Sequence, residues 1–264
     1  MKKLVVTLTA LAAFTAPALA ADMAAKAPMR AAPVAYAPSW TGCYVAGGGG
    51  YGMWNQENTT YDDTTAPRTQ ITGTNTAGGR GYFGTVGGGC DYQMPLGGWN
   101  FVVGAFGDYD FASMKGNTNV AAFAYGSEKL SSQWSVGGRV GVLVTPNLLT
   151  YFSAGYTEAQ FDSFNLLANV GLIGAPIGTY IGSQRYSGYF LGAGDEYALS
   201  FLPGLFWKTE YRFSDLDTRN NPIRTVGTNA LTGISVDSHK YTHTVRSELV
   251  YRFNWGGGAV VAKY

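Results

Sequence analysis

The chain has 264 residues; 37 are glycine, 14% are aromatic and only 13% are charged. Glycine is about twice as frequent, and charge about half as frequent, as in average proteins, which excludes a typical cytosolic enzyme with a charged surface. The many aromatic residues exclude a disordered chain. A formal net charge of +1 leaves no basic footprint for nucleic acid, and two cysteines exclude a multi-disulfide scaffold.

Residues 1–20 have the three parts of a bacterial secretory signal peptide. A positive start at Lys2 and Lys3 precedes an apolar stretch over residues 4–14, and Ala18-Leu19-Ala20 is a small-x-small cleavage site. A transmembrane anchor is the alternative, but the alanine-rich end favours cleavage directly after this tripeptide. The sequence therefore predicts export.

An alanine- and proline-rich stretch follows over residues 21–38. Pro28, Pro33 and Pro38 prevent a continuous helix there, so we expect an extended periplasmic leader. Residues 39–264 are expected to form one membrane domain.

Polar and apolar residues alternate with a period of two through the rest of the chain, which indicates β-strands. In the last such segment Leu249 and Tyr251 share one face, whereas Glu248 and Arg252 share the other. Eight strands are predicted, over residues 40–53, 80–93, 99–113, 131–144, 148–161, 185–198, 205–216 and 240–253.

The connections between these strands alternate in length. The connections after the odd-numbered strands are long. The connections after the even-numbered strands are short and carry turn residues such as Pro146-Asn147. Outer-membrane barrels have short periplasmic turns and longer external loops, and about 9–11 tilted residues cross the bilayer. The sequence therefore predicts an all-β fold, an up-and-down antiparallel transmembrane β-barrel of eight strands in the cell outer membrane. A secreted β-sandwich is the alternative.

Several motifs lie at strand positions: W-T-G-C-Y-V-A-G at 40–47, G-A-G-D-E-Y-A-L at 192–199, K-T-E-Y-R-F-S-D-L at 208–216 and Y-R-F at 251–253. Together they resemble the opacity-protein-like porin family of Gram-negative bacteria. The resemblance covers residues 40–253 apart from the loops. It implies an eight-stranded outer-membrane barrel whose loops face the host or the environment. Cys43 stands where that family usually has an aromatic residue, and Phe106 where it often has an acid.

Charged residues inside the strands are expected to face the lumen, because a Lys or Arg facing lipid costs roughly 2–4 kcal/mol at the midplane. Glu196 and Glu210 are expected beside Arg139 and Arg246. The candidate lumen ion network comprises Arg139, Glu196, Glu210, Arg212, Arg246 and Glu248. On the opposite, lipid-facing side we expect Trp207, Tyr211, Leu249, Tyr251 and Phe253.

Two functions follow from this barrel. An eight-stranded barrel is just wide enough for its own side chains to fill, which favours a structural, surface-exposed envelope protein with four long external loops. The alternative is a narrow porin-like channel for small solutes.

No catalytic, metal or cofactor site is predicted, and no cofactor. The tripeptide Asp237-Ser238-His239 is compatible with a hydrolase, but neighbours in a strand point to opposite faces. Asp108, Asp110 and the pair Asp62-Asp63 are interpreted as solvated loop carboxylates rather than a cation site. The expected partners are outer-membrane lipid, the barrel-assembly machinery and extracellular ligands of the loops, with no nucleic acid.

The two cysteines, Cys43 and Cys90, are predicted to form a disulfide. Export takes the chain to an oxidising compartment, where thiols pair. If residues 40–53 and 80–93 form an antiparallel hairpin centred in the long first connection, both cysteines lie toward the periplasmic end of adjacent strands. A register offset that leaves two free, lipid-facing thiols is the alternative.

Overall fold

The computed structural model describes residues 38–253, with the exception of residues 122, 123, 170 and 172. The predicted signal peptide, the leader up to residue 37 and the tail from residue 254 onward lie outside the described residues. Within the described part, no helix is long and apolar enough to cross a membrane.

Strands account for most of the described chain and belong to one antiparallel sheet. They are β1 (Gly42–Asp62), β2 (Thr69–Gln70), β3 (Asn75–Leu96), β4 (Trp99–Ala121), β5 (Ala124–Thr145), β6 (Leu148–Phe161), β7 (Phe164–Ala168), β8 (Pro176–Ile181), β9 (Gln184–Ala198), β10 (Leu205–Thr225) and β11 (Leu231–Phe253).

The long strands close into a ring. Neighbouring strands follow the order β11-β1-β3-β4-β5-β6-β9-β10, and β10 pairs back onto β11. The first and last strands pair along nearly their whole length, from Cys43 opposite Phe253 to Asp62 opposite Ile234. Closure leaves no open edge and satisfies the backbone hydrogen bonds within the wall. The predicted all-β, eight-stranded up-and-down barrel is confirmed.

One end of the barrel has tight turns. Gly97 and Gly98 join β3 to β4 with φ angles of 59° and 84°, the left-handed conformation that a two-residue hairpin turn requires and glycine adopts readily. Pro146-Asn147 joins β5 to β6, and residues 199–204 join β9 to β10. Outer-membrane barrels have their short turns on the periplasmic side, so we assign this end to the periplasm.

At the opposite, extracellular end most predicted strand ends are wrong, although the end of β6 at Phe161 and the start of β9 at Gln184 agree with the prediction to within one residue. The third connection was expected over residues 114–130, yet β4 runs to Ala121 and β5 begins at Ala124. The physical reason is that every second residue still faces the lumen beyond the part of the strand that crosses the membrane. Buried there are Thr118, Val120 and Glu128. The wall therefore rises well above the membrane, and much of the long connections is strand.

Two short strands extend the wall where β6 and β9 end. Strand β7 pairs with β5, placing Ala124 opposite Ala168. Strand β8 pairs with β10, placing Ile223 opposite Ile181. The hairpin β7–β8 thus continues the barrel on its extracellular side.

The core of the molecule is the lumen, where three apolar clusters follow one another along the barrel. The periplasmic cluster is Trp40, Tyr44, Ala46, Val102, Phe106, Leu149, Tyr151, Phe190, Ala198, Phe206 and Val250. The middle cluster is Trp54, Phe83, Ala112, Met114, Leu130, Ala159, Phe161, Tyr186 and Leu216. The extracellular cluster is Val120, Ala124, Leu166, Ile181, Ile223 and Val236.

Glycines on the inner face give these aromatic rings room. Gly137 lies opposite Gly155 on the next strand, and the ring of Phe190 lies across both. A Cβ atom added at either glycine would come within 2.8 Å of that ring. Glycine is therefore required at these two positions by packing.

Candidate functional site

The lumen contains the candidate network, and its periplasmic part is a closed ring of ion pairs. Arg139 donates hydrogen bonds to Asp91, with Nε at 3.0 Å from Oδ1, and to Glu196, with 2.8 Å between nitrogen and oxygen. Arg252 donates to the same two acids at 2.6 and 2.7 Å. All four side chains are at most 2% exposed. We call these four residues the periplasmic ion ring.

Trp40 closes the periplasmic mouth below this ring. It is fully buried, its indole Nε1 donates to the carbonyl of Pro146 at 3.2 Å, and its own carbonyl accepts a hydrogen bond from Arg252 at 3.2 Å. The ring of Phe206 packs against it with 4.8 Å between centroids. The chain then turns into β1 at Gly42, whose φ of 137° favours glycine. These contacts give the Trp-Thr-Gly motif a structural role.

A second group of charges fills the middle of the membrane band. Arg212 contacts Asp108 with two parallel hydrogen bonds of 2.9 Å and donates to Glu210 at 2.8 Å. Arg246 pairs with Asp110 at 2.9 Å and with Asp108 at 3.3 Å. Bidentate guanidinium–carboxylate pairs are the strongest and most directional of such contacts. We call these five residues the central ion cluster.

Three further residues belong to this level. Lys208 forms an ion pair with Glu248 on the neighbouring strand, and the hydroxyl of Tyr151 donates to Glu210 at 2.7 Å. The small lumen cavity beside Lys208 and Asp108 measures about 10 Å³, which is at the lower limit for a single water molecule.

Above this level the lumen holds apolar side chains together with uncharged polar ones such as Gln56, Asn58 and Thr118, and a further ion pair. Lys240 pairs with Glu128 at 2.9 Å and hydrogen-bonds Gln56. Its ammonium group lies 4.3 Å from the centroid of the Phe161 ring and 4.9 Å from that of Tyr186. The extracellular apolar cluster then covers this pair from outside.

All six residues of the candidate network thus point into the lumen and are buried. The expected Arg139–Glu196 contact is present, whereas the expected partner of Glu210 is different. Arg246 lies opposite Glu210 in the strand register, but the Glu210 carboxylate accepts hydrogen bonds from Arg212 and Tyr151.

The interpretation of Asp108 and Asp110 as solvated carboxylates is wrong, because both are buried partners of arginines. Both lie on the same face of β4 as the buried Val102 and Phe106. The alternation of the strand could therefore have predicted that they face the lumen. The network also includes residues that the sequence analysis did not single out: Asp91, Glu128 and Lys240. Among the described residues, no group of three or more His, Cys, Asp or Glu side chains is arranged to hold a metal ion.

The outer wall carries the apolar residues. Trp207, Tyr211, Leu249, Tyr251 and Phe253 are each 40–54% exposed on this wall. Aromatic residues lie toward both ends of the band, an arrangement that outer-membrane barrels place at the two membrane interfaces.

The two cysteines are also on the outer wall, near the periplasmic end. Cys43 lies directly opposite Cys90 in the pairing of β1 with β3, and their sulfur atoms are bonded at 2.04 Å.

The tripeptide at 237–239 does not form a catalytic triad. The Ser238 hydroxyl points into the lumen and donates to Asn58 at 2.7 Å. The His239 ring is on the outer wall, where Nε2 lies 2.7 Å from Asp215. Asp237 contacts Arg68.

Comparison with known proteins agrees with this architecture. No family model matches the sequence. The chain is 30% identical over 260 residues to the 31 kDa outer-membrane immunogenic protein of Brucella melitensis and to that of Brucella suis, across 95% of this chain and 100% of each relative. The chain belongs to the family of this outer-membrane protein. It is an envelope protein of the Gram-negative outer membrane, and the resemblance to small opacity-like outer-membrane barrels is confirmed.

Solved structures with similarity to the chain include three outer-membrane proteins. OprG of Pseudomonas aeruginosa is 12% identical with a TM-score of 0.49, covering 82% of this chain and 99% of that one. The protease OmpT of Escherichia coli is 12% identical with a TM-score of 0.43, covering 80% and 97%. Neisserial surface protein A is 14% identical with a TM-score of 0.29, covering 79% and 99%.

Proposed function

We propose that this outer-membrane protein is a closed structural barrel that does not conduct solutes. The observation that carries the proposal is the filled lumen. The periplasmic ion ring, the central ion cluster and the Lys240–Glu128 pair occupy successive levels, and Trp40 covers the periplasmic mouth. Buried charges held by several partners each are expensive to rearrange, so a transient opening of the lumen is disfavoured.

Planar-bilayer conductance of the refolded chain tests this proposal. We expect no stepwise current above that of a mock preparation from cells lacking the gene, which controls for contaminating porins. Steps that appear only with the protein, and whose ion selectivity changes in Glu196→Gln, would establish an open pore and overturn the proposal.

We also propose that the barrel has no enzymatic activity. The separation of Ser238 and His239 onto opposite faces of β11 supports this. Fluorogenic peptide and ester substrates are expected to show no turnover in the presence of the protein. Turnover that is lost in Ser238→Ala but kept in Ser247→Ala, a control serine on the outer face of the same strand, would contradict it.

The proposed partners are outer-membrane lipid around the apolar wall, the barrel-assembly machinery during insertion, and extracellular ligands at the loops and strand ends of the extracellular side. The lipid contact is tested with spin labels at neighbouring positions. Leu249 is 54% exposed and Val250 is fully buried in the lumen, so oxygen dissolved in the bilayer should relax a label at 249 and not one at 250. Equal accessibility would contradict the lipid contact.

A further inference from the structure

Three cations lie side by side on the outer wall of β3, β4 and β5. Arg80 is directly opposite Lys115, and Lys115 is directly opposite Lys129. All three face away from the lumen, because the residues beside them in sequence, such as Met114 and Leu130, are buried. We call them the basic row. Adjacent strands are about 4.8 Å apart, so the row spans about 10 Å.

The basic row is just above the extracellular aromatic residues. Arg80 is two residues from Tyr82, which is 75% exposed. On the next strand, Lys115 lies four residues after the exposed Phe111, and the pairing of β4 with β5 shifts register between them. Exposed aromatic residues mark the membrane interface of a barrel, so the row is at the level of the lipid headgroups of the outer leaflet.

The protein itself neutralises only one end of this row. Like charges directly opposite on adjacent strands destabilise a sheet. Lys129 has one exposed partner, Asp162, at 3.6 Å. Within residues 38–253, apart from the gaps given above, neither Arg80 nor Lys115 has an ion pair or a side-chain hydrogen bond. In the lumen, by contrast, the arginines and lysines each contact a carboxylate.

The opposite side of the barrel at the extracellular end is different. There the outer faces of β10 and β11 carry Asp215, which contacts both His239 and the hydroxyl of Tyr189. On that side of the wall, an acid with two polar partners therefore stands where β3, β4 and β5 carry a row of cations.

We propose that the basic row binds a phosphate of an anionic lipid headgroup in the outer leaflet. An ammonium and a guanidinium on directly opposite positions can share one phosphate through charge-assisted hydrogen bonds. Toward the membrane, Gly84 leaves a gap in the wall between Tyr82 and Val86. An added Cβ there would meet only the Gly48 carbonyl oxygen, at 3.9 Å, so no packing inside the protein requires glycine. In the proposed complex, an acyl chain of the same lipid lies along this gap.

The test compares two matched double variants of the full chain, R80Q/K115Q and R185Q/R219Q. Each removes two cations from the outer face of the extracellular region, and neither changes a buried residue. Each protein is titrated in detergent with bisphosphorylated lipid A and bound lipid is counted by native mass spectrometry. Heat-modifiable migration on a gel confirms that both barrels are folded.

We expect R80Q/K115Q to weaken lipid A binding about tenfold or more, since each basic residue near an anionic lipid surface contributes appreciably, and R185Q/R219Q to leave it nearly unchanged. Lipid A from which both phosphates have been removed should bind weakly to the unmodified protein. Equal weakening in both variants, or equal binding of phosphorylated and dephosphorylated lipid, would overturn the proposal. So would displacement of lipid A by inorganic phosphate alone, because the row would then be a site for the free anion.

Discussion

The lumen and the rim, by which we mean the outer face of the wall toward its extracellular end, use arginine and lysine in opposite ways. Inside, Arg252 is bound to two carboxylates and a backbone carbonyl. Outside, Arg80 and Lys115 stand opposite each other with no acid between them among the described residues. Because successive side chains of a strand point to opposite faces, neighbouring residues in the sequence can lie in these two different environments.

The contrast shows where the barrel depends on charge pairing. A buried cation without a partner is strongly destabilising, because its charge is removed from water. An exposed cation stays hydrated, and a surface ion pair contributes little. The lumen is therefore sensitive to the loss of one charge, whereas the rim is free to leave charges for an external ligand.

The largest effect is expected from breaking the periplasmic ion ring. Arg252→Ala leaves Asp91 and Glu196 short of a partner in a site that is almost fully buried, which should lower the free energy of unfolding by roughly 3–5 kcal/mol. Arg185→Ala is the control, since the Arg185 side chain is 73% exposed. Urea unfolding of the refolded barrel in detergent measures both. Equal midpoints for the two variants would show that the ring is solvated rather than buried.

The sequence alone predicted the barrel and the inward direction of most of its charges. Alternation decides the face of a side chain, and the lengths of the connections decide the end of the barrel, so the positions of Arg139, Glu196 and Arg212 in the lumen could be predicted. Strand ends could not be predicted as well, because above the membrane the outer face becomes polar. The apolar half of the pattern disappears there, and only inward residues such as Val120 continue it.

The pairings across the lumen could not be derived from the sequence. Arg212 on β10 reaches Asp108 on β4, and these strands are not neighbours in the wall. Which side chains meet across the lumen depends on the stagger of the strands and on which aromatic rings occupy the remaining space. The position of Glu210 opposite Arg246 was a poor guide for this reason, since Arg246 contacts the carboxylates of Asp108 and Asp110.

A smaller effect is expected from adding one methyl group on either face of β5. At Gly137 a Cβ would lie 2.4 Å from the Ala154 carbonyl oxygen and 2.8 Å from the Phe190 ring, so Gly137→Ala should destabilise the barrel by about 1–3 kcal/mol, as overpacking does. At the neighbouring Gly138 the nearest atom is 3.5 Å away, and Gly138→Ala should leave stability nearly unchanged. The same urea titration compares them. A larger loss at Gly138 would contradict the assignment of the two faces.

The smallest effect is expected at the rim, in the ion pair of Arg68 with Asp237. Partial burial acts to raise the pKa of Asp237, but hydrogen bonds from Arg68 and Asn220 outweigh it and hold the pKa of this carboxyl below its usual range. The bound segment is therefore stabilised above the pKa that Asp237 has in the unfolded chain, and this stabilisation is lost as the pH falls through the lowered pKa of the folded state. Amide hydrogen exchange of residues 63–68, corrected for its intrinsic pH dependence, should become faster in that acidic range. In Asp237→Asn it should be fast at every pH, while the global unfolding midpoint stays the same, because the pair is exposed and its contribution is screened by solvent. A drop in the midpoint comparable to that of Arg252→Ala would place this pair among the contacts that hold the barrel together and would remove the distinction between the lumen and the rim.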